Sequence, residues 1–194
     1  MNALVVVAAY LIGTIPFALL LARRWGADPR EVGSGNLGAA NVMRASGVTA
    51  GVLVAALDMA KGAASVWLAR SVSGVAEVAA VAGVAAIVGH VYPVWLRFRG
   101  GKGVATACGV FSVLTPLAVP PALVIFAAVV WLTQYISLGS VLASAALPPI
   151  AYVSGSPAAS VLAAAAASAL IAFRHRANVK RVWTGTERRL GARV

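Results

Sequence analysis

Long apolar runs separated by short basic or glycine-bearing stretches organise this chain. A bilayer crossing takes about 20 mostly apolar residues. Ala3–Ala22 meets that length, as do Thr49–Leu68 and Glu77–Leu96, with a short connection at Arg70–Gly74 between the latter two. Val104–Thr133 is apolar throughout, too long for one upright helix and short for two. Pro116, Pro120 and Pro121 interrupt it, and proline both lacks a donor and clashes with the preceding turn. The reading is two short spans joined by a tight turn. Ser137–Val153 predicts a further span, Ser154-Gly155-Ser156-Pro157 a turn, and Ala158–Phe173 the last span.

The polar stretches fix an orientation. Residues 22–48 carry four Lys/Arg, residues 97–103 carry three, and the tail 174–194 carries seven. The positive-inside rule places all three on the cytoplasmic face. An odd number of crossings must then separate an outer amino terminus from an inner carboxyl terminus. The expected fold is all-α: a polytopic membrane helix bundle of seven transmembrane helices, forming one domain over 1–194. No repeat of fixed period is visible.

Composition agrees. The chain is 61% hydrophobic and 11% charged, with mean hydropathy +0.90, whereas a soluble domain carries about 25% charged residues. The formal net charge of +11 would suggest nucleic acid in a soluble protein. Here the basic residues cluster between apolar runs with no interleaved aromatic surface, so they point to topology, anionic headgroups or anionic substrates instead. The single cysteine, Cys108, excludes an intrachain disulfide and a cysteine zinc cluster and reads as a small buried hydrophobe. The first apolar run lacks a basic start, and Pro16-Phe17 is not a small-residue cleavage site, so it is expected to be retained.

Two glycine-rich loops stand out on the predicted cytoplasmic face. Gly33-Ser34-Gly35-Asn36-Leu37-Gly38-Ala39-Ala40-Asn41-Val42-Met43-Arg44 contains the spacing of a dinucleotide fingerprint, and Asp58 lies 20 residues beyond Gly38. That fingerprint needs a preceding strand and a βαβ unit, and a membrane helix and a charged loop stand there instead. An anion site is the alternative. Backbone N–H groups of a glycine turn form a nest, a following helix adds its positive end, Ser34 and Asn36 can donate, and Arg44 can grip phosphate with two bonds. The plainer reading is an ordinary loop with Arg44 reaching headgroups. Gly100-Gly101-Lys102-Gly103 resembles part of a P-loop, but no Ser/Thr follows the lysine. Its lysine can hold a phosphate or serve only as a topological marker. Two such loops on one face favour phosphate.

Asp58 and Lys61, three residues apart, share a helix face inside the second span. They read as a mutually neutralising structural pair near the outer half of that helix, with direct substrate contact as the alternative. His90 precedes Tyr92-Pro93, and His175 and Asn178 face the same way if the last helix continues. Two histidines without an acidic cluster make no metal site, and no Ser-His-Asp arrangement is legible.

Together these residues resemble the PlsY family, bacterial integral-membrane acyltransferases that use acyl phosphate and glycerol 3-phosphate. The resemblance covers nearly the whole chain in three motifs. The first is Gly33 to Arg44, preceded by Gly13-Thr14-Ile15-Pro16-Phe17. The second is Gly89-His90-Val91-Tyr92-Pro93 with Phe98-Arg99-Gly100-Gly101-Lys102-Gly103-Val104-Ala105-Thr106. The third is Arg174-His175-Arg176-Ala177-Asn178 with Gly185-Thr186-Glu187. The resemblance implies catalytic roles for Ser34, Arg44, Lys102, His175 and Asn178. It implies substrate binding around Gly33, Gly35, Asn36, Gly38, Asn41, His90, Gly100, Gly101 and Gly103, and a structural role for Glu187. Ala40 stands where the family usually has threonine.

The implied reaction moves an acyl chain from acyl phosphate to the 1-hydroxyl of glycerol 3-phosphate, giving lysophosphatidic acid and phosphate, the first step of phospholipid synthesis. It implies the bacterial cytoplasmic (inner) membrane, with the site on the cytoplasmic side. No cofactor and no metal are expected, and neither acyl carrier protein nor coenzyme A is expected as direct donor. Acyltransferases that use those donors commonly show His-x4-Asp, but Trp95 and Lys180 stand five residues after the two histidines. A transporter of a phosphorylated solute is the alternative, and the missing repeat and missing paired broken helices weigh against it.

Overall fold

The computed structural model describes residues 1–22, 24 and 28–191. Among these the regular structure is helical. Helix α1 covers Asn2–Gly13 and α2 covers Phe17–Ala22. Pro16 explains the break: it has no N–H to give the turn before it, and it disfavours helical geometry at Ile15. The uniform first helix expected from hydropathy is therefore two pieces, together Asn2–Leu21 of the apolar span. A short helix, α3 (Ala39–Ser46), lies within the long polar loop and follows its glycine turn, as the anion-site reading requires. Helices α4 (Val48–Ser73) and α5 (Ala76–Val91) follow, and a 3₁₀ turn, Val94–Leu96, ends that run.

The proline cluster separates α6 (Val104–Leu114) from α7 (Val119–Thr133), as the sequence predicts. At 1.5 Å rise per residue these helices are roughly 16 and 22 Å long, against a hydrocarbon core of about 30 Å. Helix α8 is Ile136–Val153 and α9 is Ala158–Arg174. The last helix does not run straight on through His175. It bends by 55° there into α10, Arg176–Trp183. Four segments among the described residues are long and apolar enough to cross a membrane, or five with the bent α9–α10 pair counted as one.

Small residues let the helices approach closely, as apolar surroundings favour. The backbone of Gly13 faces that of Ala86, and Gly89 faces the carbonyl of Tyr10, which seats α1 against α5. Gly62 meets Thr106 and Gly109 meets Met59, which seats α4 against α6. Phe111, Ile87, Val110, Val91 and Ile171 fill the space between and are fully buried. Outward-facing Leu4, Trp67, Leu117, Val124, Trp131 and Leu162 are exposed, as a lipid-facing surface requires.

Candidate active site

The 55° bend at His175 builds one side of the site. His175 is the hinge residue, 3% exposed, and its Nδ1 lies 2.8 Å from the carbonyl of Ile171. A carbonyl only accepts, so Nδ1 carries the proton and Nε2 is bare. Burial, then the charge of Lys102, lower its pKa to about 4. One helical turn on, buried Asn178 donates from Nδ2 to Oε1 of Glu187 at 2.6 Å, and its Oδ1 accepts from Lys102 Nζ. Ser137 of α8 also donates to Glu187 Oε1, at 2.8 Å, and Arg181 Nε donates to Oε2 at 2.8 Å. Burial raises the Glu187 carboxyl pKa, but the bonds from Asn178, Ser137 and Arg181 outweigh it and hold it below the usual value. One carboxylate thus ties together α8, α10 and the tail.

Lys102 arrives on the second loop. Tyr10 donates its hydroxyl to the carbonyl of Tyr92 at 2.9 Å, and Trp95 donates to the Thr14 hydroxyl at 2.8 Å. These bonds pin the loop's start to the first helical pair. The chain then turns through left-handed Arg97 and Phe98, and Gly100 and Gly101 donate back to the carbonyls of Val91 and His90. A Cβ on Gly101 would fall on Nε2 of His90. Gly103, at φ +87°, opens α6 in a conformation that glycine tolerates best. Burial, then the cations Arg181, Arg174 and Arg44 acting against Glu187, lower the pKa of Lys102 to about 8.

His90 lies beneath this loop, 3.5 Å from Asp58 through Nδ1. Asp58 pairs with Lys61 at 2.8 Å, and Lys61 also donates to the carbonyl of Ile15 at 2.8 Å. The pair exists as the spacing predicts, but its place corrects the sequence reading. Asp58 and Lys61 line a cleft of about 230 Å³ together with His90, Gly100 and Gly101. They therefore support the site-side end of the bundle rather than its outer half.

The first loop is more self-contained than its glycines suggest. Gly33 and Gly35 have φ of +65° and +67°. Asn41 organises the turn: its Oδ1 accepts from the Ser34 backbone N–H (2.9 Å) and hydroxyl (3.2 Å), and its Nδ2 donates to the carbonyls of Pro29 and Val32. The Gly35 N–H donates to Val32. Two amides of the expected nest are thus turned inward, because Asn41 and Val32 outcompete solvent for them. Asn41 is a buried organiser. Asn36 packs by Gly38, which precedes α3 and has an extended backbone. Ser34 stays exposed, and half-buried Arg44 lies at the far end of α3.

Electrostatics join the three motifs. Burial, then the like charge of Arg188, lower the pKa of Arg44, against the pull of Glu187. Lys102 feels Arg44, Arg174 and Arg181. Arg174 donates to the carbonyl of Gly101 at 3.3 Å and stacks over the Tyr92 ring at 5.4 Å. Sequence reasoning missed Ser137, Arg174, Arg181 and Arg188. In the sequence the arginines belong to basic stretches that fix topology or attract anions in general, with no individual site role, and nothing local distinguishes Ser137 from the other serines of α8.

Beside the polar cluster an apolar groove of about 520 Å³ runs between α6, α7, α8 and α9. Val104, next to Gly103, and Ile171, whose carbonyl holds His175, both line it, along with Phe111, Phe126 and Leu147. The geometry therefore places a cationic, hydrogen-bonding head beside an apolar trough, a shape suited to an amphiphile with an anionic end.

A profile of the glycerol-3-phosphate acyltransferase family matches residues 3–185. The glycerol-3-phosphate acyltransferase of Syntrophotalea carbinolica is 47% identical over 97% of this chain and 97% of its own length. Glycerol-3-phosphate acyltransferase 1 of Deinococcus radiodurans is 43% identical over 98% and 96%. Among solved structures, the glycerol 3-phosphate form of the integral membrane acyltransferase PlsY superposes with TM-score 0.93 at 39% identity, covering 98% of this chain and 96% of that one. Its lysophosphatidic acid form superposes with TM-score 0.91 at 38% identity.

Proposed function

The chain belongs to the glycerol-3-phosphate acyltransferase family of the PlsY type, and on that footing we propose that its acyl donor is acyl phosphate and its acceptor hydroxyl the 1-hydroxyl of glycerol 3-phosphate. The products are lysophosphatidic acid and inorganic phosphate, the opening step of phospholipid synthesis. The site faces the cytoplasm in a seven-span bundle with its amino terminus outside, and α6 and α7 are its two short crossings.

The observation that carries the reading is the gathering of Arg44, Arg174, Arg181 and the Glu187 carboxylate about Lys102, beside an apolar groove. Two anionic substrates repel each other, and these cations offset that repulsion. Holding both head groups in register makes a bimolecular step effectively unimolecular. The acyl tail lies in the groove between α6 and α9, which places its carbonyl near Lys102.

Acyl phosphate is a mixed anhydride, already activated. The acceptor oxygen attacks the acyl carbon, the bond from that carbon to the phosphate oxygen breaks, and inorganic phosphate leaves. The hydroxyl proton passes to an oxygen of the departing phosphate. Lys102 and Arg44 stabilise negative charge on phosphate as it develops. Asn178 and Glu187 hold Lys102 in place, and Ser34 and His175 orient the reacting groups.

The test is turnover by purified protein with glycerol 3-phosphate and each donor in turn. Acyl phosphate alone should support product formation, with chelator present and no added protein. Comparable rates with acyl-coenzyme A or acyl carrier protein would refute the donor assignment.

A further inference from the structure

The tail beyond α10 is fastened at three of the four residues 187–190. Glu187 takes three hydrogen-bond donors, Arg189 stacks over Tyr135 at 5.8 Å, and the Leu190 N–H donates to the carbonyl of Gln134 at 2.7 Å. Arg188 is carried between these anchors. Its Nη1 lies 3.2 Å from where a Cβ on Gly33 would stand, so the missing side chain at Gly33 makes room for the guanidinium over the Gly33–Ser34 turn. Arg188 makes no ion pair or hydrogen bond among the described residues. The nearby Glu187 carboxylate is already used by Asn178, Ser137 and Arg181.

Two guanidinium groups held near each other, with the local carboxylate occupied, leave a positive hollow. Arg188 disfavours the charge on Arg44, and Lys102, Arg174 and Arg181 add to the same field. Folding gains nothing from gathering like charges. A doubly charged anion between them reverses the sign of the interaction, and guanidinium forks match phosphate oxygens two at a time. The inward turn of the Ser34 and Gly35 amides leaves side chains as the main anion contacts over this loop.

We propose that Arg188 is a substrate-binding residue which, with Arg44, closes a phosphate seat over the Gly33–Ser34 turn. The phosphate is that of the acyl donor or that of the glycerol phosphate, and the inference rests on the proposed reaction for those two substrates. Because Arg188 follows Glu187 directly, the same strap that positions Asn178 also delivers the second arginine. This couples the carboxyl-terminal tail to the first loop.

The test uses the full-length protein in detergent, with Arg188→Ala, Arg188→Lys and, as a charge control, Arg176→Ala. Arg176 stacks on Phe173 away from these contacts. Arg188→Ala should raise KM about 10-fold or more for one phosphate substrate, with kcat nearly unchanged, and Lys should restore part of the loss. A rise for acyl phosphate places the donor in the seat, and a rise for glycerol 3-phosphate places the acceptor there. Inorganic phosphate should raise the Tm of the parent and of Arg176→Ala, but not of Arg188→Ala. Unchanged KM for both substrates, unchanged stabilisation by phosphate, or an equal effect from Arg176→Ala would overturn the proposal. Should Arg188→Ala be unstable without ligand, Arg188→Gln replaces it in both assays. The phosphate Tm shift requires no turnover, so it decides Arg188 even if acyl phosphate proves not to be the donor.

Discussion

Lys102 donates its ammonium proton to the Oδ1 of Asn178, joining the second and third motifs across 76 positions of sequence. Both ends of the Asn178 amide are engaged, since its Nδ2 donates to Glu187. Asn178 therefore sets where the lysine charge sits and transmits the position of Glu187 to it. Asn178→Ala leaves the ammonium and the carboxylate each short of a partner. The expected loss is about 1.5–3 kcal/mol in transition-state stabilisation, the range for hydrogen bonds to charged groups. This corresponds to a fall in kcat/KM of roughly 10- to 160-fold. Asn178→Asp should be no rescue, because a carboxylate there would face Glu187 and repel the phosphate. Parent-like kcat/KM in Asn178→Ala would remove Asn178 from the site.

A second prediction concerns pH. Burial and neighbouring cations lower the pKa of Lys102 to about 8. In the proposed reaction the working form is the ammonium, present below that value and lost as pH rises through it. The kcat/KM profile, which reports the free enzyme, should therefore fall on its basic side near pH 8. A bound phosphate dianion favours the ammonium, so the same limb in kcat should lie higher. Lys102→Arg does not titrate in this range. It should be slower but lose the limb, and a limb that stays near pH 8 would assign it to another group.

Much of the helical skeleton is legible because its causes are local. The proline cluster at Pro116–Pro121 separates α6 from α7, and Ser154–Pro157 separates α8 from α9, where the backbone chemistry requires. Pro16 carried the same signal, yet the uniform hydropathy around it masked the break between α1 and α2. The bend at His175 has no proline or glycine to announce it. The candidate site is legible only as three motifs. Their joining depends on contacts such as Ser137 with Glu187, 50 positions apart, and on Gly101 resting over His90. No periodicity encodes such pairings. The same limit explains why Asp58 and Lys61 could be paired from spacing but not placed under the second loop.

That placement supports a third prediction. Gly101→Ala adds a Cβ where His90 Nε2 stands, so the Lys102 loop must lift. Displacement of a binding group by about 1 Å can cost on the order of 100-fold in rate. Gly101→Ala should lose activity on that scale, with KM for glycerol 3-phosphate rising. Removing the obstruction is the informative step. If His90 acts as the floor of the loop, His90→Ala should recover part of the activity in the Gly101→Ala background. If His90 instead contacts substrate, as the sequence reading has it, the double variant should be worse than either single one.

The last prediction concerns the proton taken from the attacking hydroxyl. Among the described residues His175 is the neutral base of the polar cluster, and its geometry fixes the tautomer. Nδ1–H is directed at the carbonyl of Ile171, leaving Nε2 free to accept. Its surroundings nevertheless make it a poor acceptor, since burial and Lys102 lower its pKa to about 4. General-base catalysis is most effective when the pKa of the base lies near the working pH. In the proposed reaction the departing phosphate would then receive the proton, with His175 as a rigid support at the α9–α10 bend. His175→Gln keeps an amide able to donate to Ile171. It should be slower, yet its acidic limb in kcat/KM should stay where the parent has it, because that limb then belongs to the phosphate substrate. A limb near pH 4 in the parent that disappears in His175→Gln, with activity restored by added imidazole, would make His175 the base after all.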